Sequence, residues 1–244
     1  MRWIEASLAL ALVAGLGQTA PSPQRAGSPG APTQQLPAVP NPGRPLVQPQ
    51  FVVVLDAAHG GSDTGARLGD GVMEKDITLG LERRLRAALR TQGVDVVTTR
   101  DADADLPALN RAQVANHAQA SACLVIHATA TGSGVHLFTS SLSPASATPV
   151  LPWQTAQAAY VTQSLRLESE IDAALAHAEV PVTLGRASVQ PMDSLACPAV
   201  AVELAPLVAG NTTSARAITD EKYENLVVSA LAAAIGSWRN DWKD

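Results

Sequence analysis

Residues 52–61 read VVVLDAAHGG: four apolar residues, three of them valine, running into Asp56, two alanines, His59 and a glycine pair. A short β-branched run bounded by glycine has the pattern of a buried strand. In open α/β sheets, chemistry gathers just beyond the carboxyl ends of such strands. His59 stands at that point. A single histidine after a strand is more often a satisfied structural residue than a ligand, so its meaning depends on what the rest of the chain brings beside it.

Working outward, residues 60–73 form a polar, glycine-rich loop without the Gly-Lys-Ser/Thr ending of a phosphate-binding loop. Ile77, Leu81, Leu85, Ala88 and Leu89 then recur at helical spacing, with Glu and Arg on the other face and Gly93 as a stop. Residues 94–99 read as a strand, 106–120 as a helix, 123–126 and 134–139 as strands. A Ser/Pro loop leads to a long helix over 153–178, read as an ordinary sheet-packing helix, followed by a strand at 199–204 and a closing helix at 223–238. The β-α-β-α-β alternation predicts an α/β fold: a mainly parallel twisted sheet with helices on both faces, in a single domain.

Residues 1–20 have Arg2, an apolar run over 8–17 and then small residues, the layout of a signal peptide; the run is shorter than the roughly 20 residues that span a bilayer. Nine prolines among residues 21–50 make that stretch an extended, semi-rigid linker with too little apolar surface to fold. The domain is therefore placed at 51–244, and the protein is expected to be exported to the periplasm or cell envelope with no stable membrane span after cleavage. With Arg2, Arg25, Arg44 and Glu5 set aside from a chain at −5, the domain carries −7. A basic nucleic-acid footprint is absent. Cys123 and Cys197 read as buried free thiols, with a disulfide open to them if their Cα atoms lie within roughly 7 Å.

Polar residues stand where apolar patterns stop: His59 after the first strand, Glu74 at the first helix start, and His127 at the end of CLVIH (123–127). Glu203 lies inside AVAVEL (199–204), where a carboxylate is costly unless compensated. A divalent cation would compensate it and recruit the other three. Two imidazoles and one carboxylate are the ligand set of a catalytic zinc site, and a carboxylate outside that set can carry the proton; Glu203 fits that role.

Six strings in order now resemble the zinc-dependent N-acetylmuramoyl-L-alanine amidases of the amidase 3 type, over about residues 51–238. They are Asp56-Ala57-Ala58-His59-Gly60-Gly61 with Asp63, Gly65 and Ala66; Glu74-Lys75-Asp76; Thr99-Arg100-Asp101; Arg111 with Ala115-Asn116; Val125-Ile126-His127-Ala128-Thr129; and Pro198-Ala199-Val200-Ala201-Val202-Glu203. The resemblance implies Zn2+ held by His59, Glu74 and His127, Glu203 as catalytic carboxylate, and peptidoglycan as substrate, cut between N-acetylmuramic acid and L-alanine. It names no activator protein. Three departures are visible: Ala57-Ala58 for Pro-Gly, Thr129 for Asn, and Leu204-Ala205-Pro206 for Gly-Phe-Leu. They motivate an alternative, a catalytically impaired cell-wall-binding or regulatory module on the same fold; a zinc peptidase acting on crosslinks is a third reading.

The remaining polar residues carry less specific expectations. Asp56 either orients His59 or holds the loop start. Arg100 and Arg111 suit structural ion pairs slightly better than substrate carboxylates. His117 and His177 read as surface or satisfied residues, and His136, alternating within its strand, as structural.

Overall fold

The computed structural model describes residues 50–145, 151–208 and 215–242. The expected leader and nearly all of the expected linker lie outside them. In chain order come β1 (Val52–Ala57), β2 (Arg67–Gly69), β3 (Val72–Met73), α1 (Glu74–Thr91), β4 (Asp95–Thr98), α2 (Ala108–His117), β5 (Ala122–Ala128) and β6 (Val135–Ser140). A 3₁₀ segment (Trp153–Ala159) precedes α3 (Val161–His177) and β7 (Val182–Ala187). A short 3₁₀ turn (Met192–Ser194) leads to β8 (Ala199–Leu204), β9 (Leu207–Val208), β10 (Ala215–Arg216) and α4 (Glu221–Asp241).

β1 is buried along all but its first residue, as its unbroken apolar run requires of a central strand. The main sheet has the order β4-β1-β5-β8-β6-β7. The first four strands are mutually parallel, β6 runs antiparallel to β8, and β7 is parallel to β6. The chain leaves β1 for β4 on one side and returns to β5 on the other. The crevice beyond the carboxyl ends of β1 and β5 is therefore a topological switch point, where open α/β sheets bind ligands.

The two faces are unequal. On one, Val53 and Leu55 of β1 meet Ile77, Leu81, Leu85 and Leu89 of α1, Leu167 and Ile171 of α3, and Val227, Leu231 and Ile235 of α4. Each such fully buried large side chain contributes roughly 1.5–3 kcal/mol. On the other, Val54 meets mostly small residues: Ala112 and Ala115 of α2, Ala199 and Ala201, and the two cysteines. The mainly parallel sheet with helices on both faces is as expected, and the thin face is where the sequence reading fails twice.

Cys123 and Cys197 are not free thiols. They form a disulfide with Cα atoms 6.2 Å apart across 74 residues of sequence, tying β5 to the segment entering β8. The helix expected over 153–178 is also not continuous. Thr155 has non-helical angles, and α3 begins only at Val161. The fully buried Gln157 explains the break: its amide donates to the carbonyls of Leu195 and Cys197 (both 2.9 Å) and accepts from Ser164 Oγ (2.6 Å), drawing the segment down onto the thin face. β7 was not expected; it is a half-exposed edge strand with a glycine, Gly185, in its middle.

Candidate active site

The three expected ligands come from three elements that converge at the switch point. His59 follows β1 with a left-handed backbone (φ 65°). Glu74 is the first residue of α1 and His127 the penultimate residue of β5. One ligating atom from each lies within 4.8 Å of the others. His59 Nε2 is 3.1 Å from Glu74 Oε2, and His127 Nδ1 is 2.8 Å from Glu74 Oε1. The N–H groups of Ala66 and Ala128 donate to the same carboxylate, at 2.9 and 3.2 Å.

Burial alone would push the Glu74 carboxyl up, but the hydrogen bonds from His127, His59 and the Ala66 N–H outweigh it and hold the group well below the usual carboxylate range. The hydrogen bond to Glu74 raises the His59 ring against the cost of burial, and Asp63 assists. Gly65 has φ +62°, and a Cβ there would meet Glu74 Oε2 at 2.6 Å and His59 Cδ2 at 2.7 Å, so only glycine leaves this wall open. Two imidazoles and an ionised carboxylate, presented side by side beside a glycine, suit a zinc ion by donor chemistry and by space.

Glu203 stands beside this centre, and strand register explains how. His127 is the register partner of Glu203 across β5–β8, and His136 is the partner of Glu203 across β6–β8. Register partners share a face, so the three side chains stand abreast. They point toward the thin side, since the flanking Val202 and Leu204 pack into the thick core. His136 Nδ1 lies 2.7 Å from Glu203 Oε2, and the Glu203 side chain keeps 28% of its surface exposed.

Residues 53–237 match the family described as N-acetylmuramoyl-L-alanine amidase, amidase 3. The chain belongs to that family. Over 77 residues it is 40% identical to N-acetylmuramoyl-L-alanine amidase AmiA of Escherichia coli, covering 32% of this chain and 27% of that one. Over 131 residues it is 32% identical to N-acetylmuramoyl-L-alanine amidase AmiC of Neisseria meningitidis, covering 51% and 31%. It thus spans about a quarter to a third of the length of these curated relatives. The solved N-acetylmuramyl-L-alanine amidase Ami1 of Mycobacterium smegmatis has the same fold, with a TM-score of 0.62 at 20% identity over 78% of this chain and 97% of that one.

Around the centre, this amidase 3 domain assigns its supporting residues differently from the sequence reading. Asp63, not Asp56, holds His59, with Oδ2 2.9 Å from Nδ1. Asp56 instead accepts from Thr99 Oγ1 (2.7 Å) and Arg111 Nη1 (2.8 Å) beneath the strand ends; burial pushes its carboxyl up against those partners. Arg111 is therefore the structural ion pair expected. Arg100 is structural without being an ion pair: it donates to the carbonyls of Ala57, Ala58, Lys75 and Ala102, tying the loop after β1 to the first turn of α1.

His136 is not merely a strand residue, because it faces Glu203. Its signal was present in the alternation of GVHLFT, but only the antiparallel pairing of β6 with β8 gives it a partner. Gly60 and Gly61 pack against the loop at residues 103–105. A Cβ at Gly60 would strike the Ala104 carbonyl and one at Gly61 the Asp105 backbone N at 2.6 Å, while Asp103 and Asp105 accept from the Gly61 and Ser62 N–H groups. His117 and His177 are exposed, as expected. Of the departures from the family pattern, Ala57, Ala58, Leu204 and Ala205 are fully buried, so they alter packing beneath the site.

Proposed function

We propose that this protein is a zinc-dependent hydrolase of the amide between N-acetylmuramic acid and L-alanine in peptidoglycan, acting outside the cytoplasm. Family membership supports the class of reaction. The observation that carries the chemistry is the convergence of His59, Glu74 and His127 with Glu203 alongside, on one face of the switch point. The disulfide supports the location, because such bonds persist in oxidising compartments. No helix among the described residues is long and apolar enough to cross a membrane.

Zinc held by His59, Glu74 and His127 supplies Lewis acidity to the scissile carbonyl and makes water a stronger acid. Glu203 takes a proton from the attacking water as its oxygen bonds to the lactyl carbonyl carbon. It returns that proton to the departing nitrogen as the C–N bond breaks, leaving a lactyl carboxylate and the free α-amine of L-alanine. His136 holds one Glu203 oxygen so that the other faces the reaction. Asp63 keeps the His59 ring turned with Nε2 toward the centre.

Mass spectrometry of digested peptidoglycan tests this reading. The expected products are unsubstituted glycan chains and peptides beginning with L-alanine, with a chelator stopping their release. New amino termini deeper in the peptide would favour a crosslink peptidase. Retention on cell walls without any new terminus would favour a binding module.

A further inference from the structure

The cleft at His59, about 250 Å³, is continued by two more hollows. Ala108 and Gln190 line both it and a neighbouring hollow of about 360 Å³. Leu109 and Trp153 line both that hollow and a third, of about 1250 Å³. One groove therefore leads from His59 to Trp153, with α2 beside it throughout: Pro107, just before the helix, borders the first hollow and Ala118, just after it, borders the last. The ten residues of α2 rise about 15 Å.

Two features of this groove ask for an occupant. Leu109 and Trp153 are 45% and 54% exposed and lie together, although a soluble surface gains by covering such a pair. Trp153 also stands on a fixed base, since the buried Gln157 anchors its segment to the carbonyls of Leu195 and Cys197. The exposed residues Gln113, Gln154 and Gln190 line the same two hollows as Trp153.

Charge then selects the occupant. Among the described residues that line the second and third hollows, the only ionisable ones are Asp193 and His117, and both Asp193 oxygens already accept from Ser140 and Ser188. A stem peptide carries free carboxylates and would need a free cation, whereas the arginine bordering the first hollow, Arg111, is already paired with Asp56. An N-acetylated glycan strand is uncharged where its lactyl groups are in amide linkage. It offers C–H faces to an indole, and hydroxyl and acetamide groups to glutamines.

We propose that the groove along α2 binds the glycan strand flanking the scissile bond, with a sugar ring stacked on Trp153. This rests on the peptidoglycan reading above. The test is calorimetric titration of the full chain with a chitin oligosaccharide, a neutral chain of the same N-acetylated sugar. Wild type and Glu203→Gln should bind alike, Trp153→Ala about tenfold more weakly, and Trp153→Phe in between. Leu109→Ser, on a different element, should also weaken binding, which guards against a folding defect at Trp153.

Absence of binding, equal binding by Trp153→Ala, or displacement of the sugar by a free stem peptide would overturn the proposal. If the sugar binds through Trp153 but no L-alanine terminus is ever released, the hydrolase reading fails and the groove stands. If L-alanine termini are released without sugar binding, the groove fails and the hydrolase reading stands.

Discussion

Glu74, Glu203 and Glu168 are three of the wholly or partly buried carboxylates of this domain, and no two of them have the same company. Glu74 is 5% exposed, yet four groups engage its two oxygens: two histidine rings and two backbone N–H groups. Glu203 has one histidine, His136, and remains partly open to the cleft. Glu168, on α3 far along the chain from either, is 7% exposed with its Oε1 unpartnered; burial, and then the neighbouring Asp172, push its carboxyl up to about 7. Burial is common to all three, so it does not set their roles. Partners do: a saturated carboxylate is an anchor, a half-engaged one can move a proton, and an unpartnered one tends to stay neutral.

The sharpest way to break this contrast is to neutralise each carboxylate in turn. Glu74→Gln should lose most of the roughly one zinc per chain, and all measurable hydrolysis with it, by elemental analysis beside a peptidoglycan release assay. Glu203→Gln should keep its zinc while kcat falls by about 10²–10⁴. Zinc lost from the Glu203 variant, or kept in full by the Glu74 variant, would exchange their roles.

The supporting residues sharpen the contrast with smaller effects. Asp63→Asn weakens the hold on His59 and should lower zinc affinity by roughly 10–100-fold in a competition with a chelator. His136→Gln should leave zinc affinity unmoved and lower kcat about tenfold with KM little changed, because it positions Glu203 alone. A matching fall in zinc affinity would show that His136 serves the metal centre instead.

The smallest effect concerns Glu168 and appears in stability. Its folded pKa of about 7 stands above the ordinary 4.5, so between those values the folded state keeps a proton that the unfolded chain has released. Stability therefore declines as pH rises from about 4.5 to about 7 and levels off above. Glu168→Gln should match wild type in thermal unfolding at acid pH and exceed it at pH 8, by no more than about 3 kcal/mol. An unchanged difference across that range would mean that Glu168 finds a partner when ionised.

Much of this architecture was legible because burial writes itself into local pattern. The unbroken apolar runs of β1, β5 and β8, and the spacing of Ile77, Leu81 and Leu85, can be read without knowing what they pack against. The four candidate site residues stood out for the same reason: each interrupts such a pattern at its end or inside it. β7 was hidden because an edge strand buries one side at most, and Val182–Ala187 shows little apolar alternation of its own. The break before α3 was hidden because the force that bends it comes from the carbonyls of Leu195 and Cys197, nearly 40 residues away in sequence.

The sequence by itself therefore determined the class of fold, the strands and helices of the thick core, and the set of His59, Glu74, His127 and Glu203 as residues that belong together. These follow from hydrophobic periodicity and from the cost of placing polar groups where that periodicity excludes water. Tertiary structure alone decided which polar residues support them. Asp63 rather than Asp56 faces His59 because the loop after β1 turns back on itself, with Gly60 and Asp63 bonded backbone to backbone. His136 faces Glu203 because β6 pairs with β8 antiparallel in one register, and Cys123 meets Cys197 because β5 lies beside β8. Each is a contact between segments that share no local pattern, fixed only when the order and direction of the strands bring them side by side.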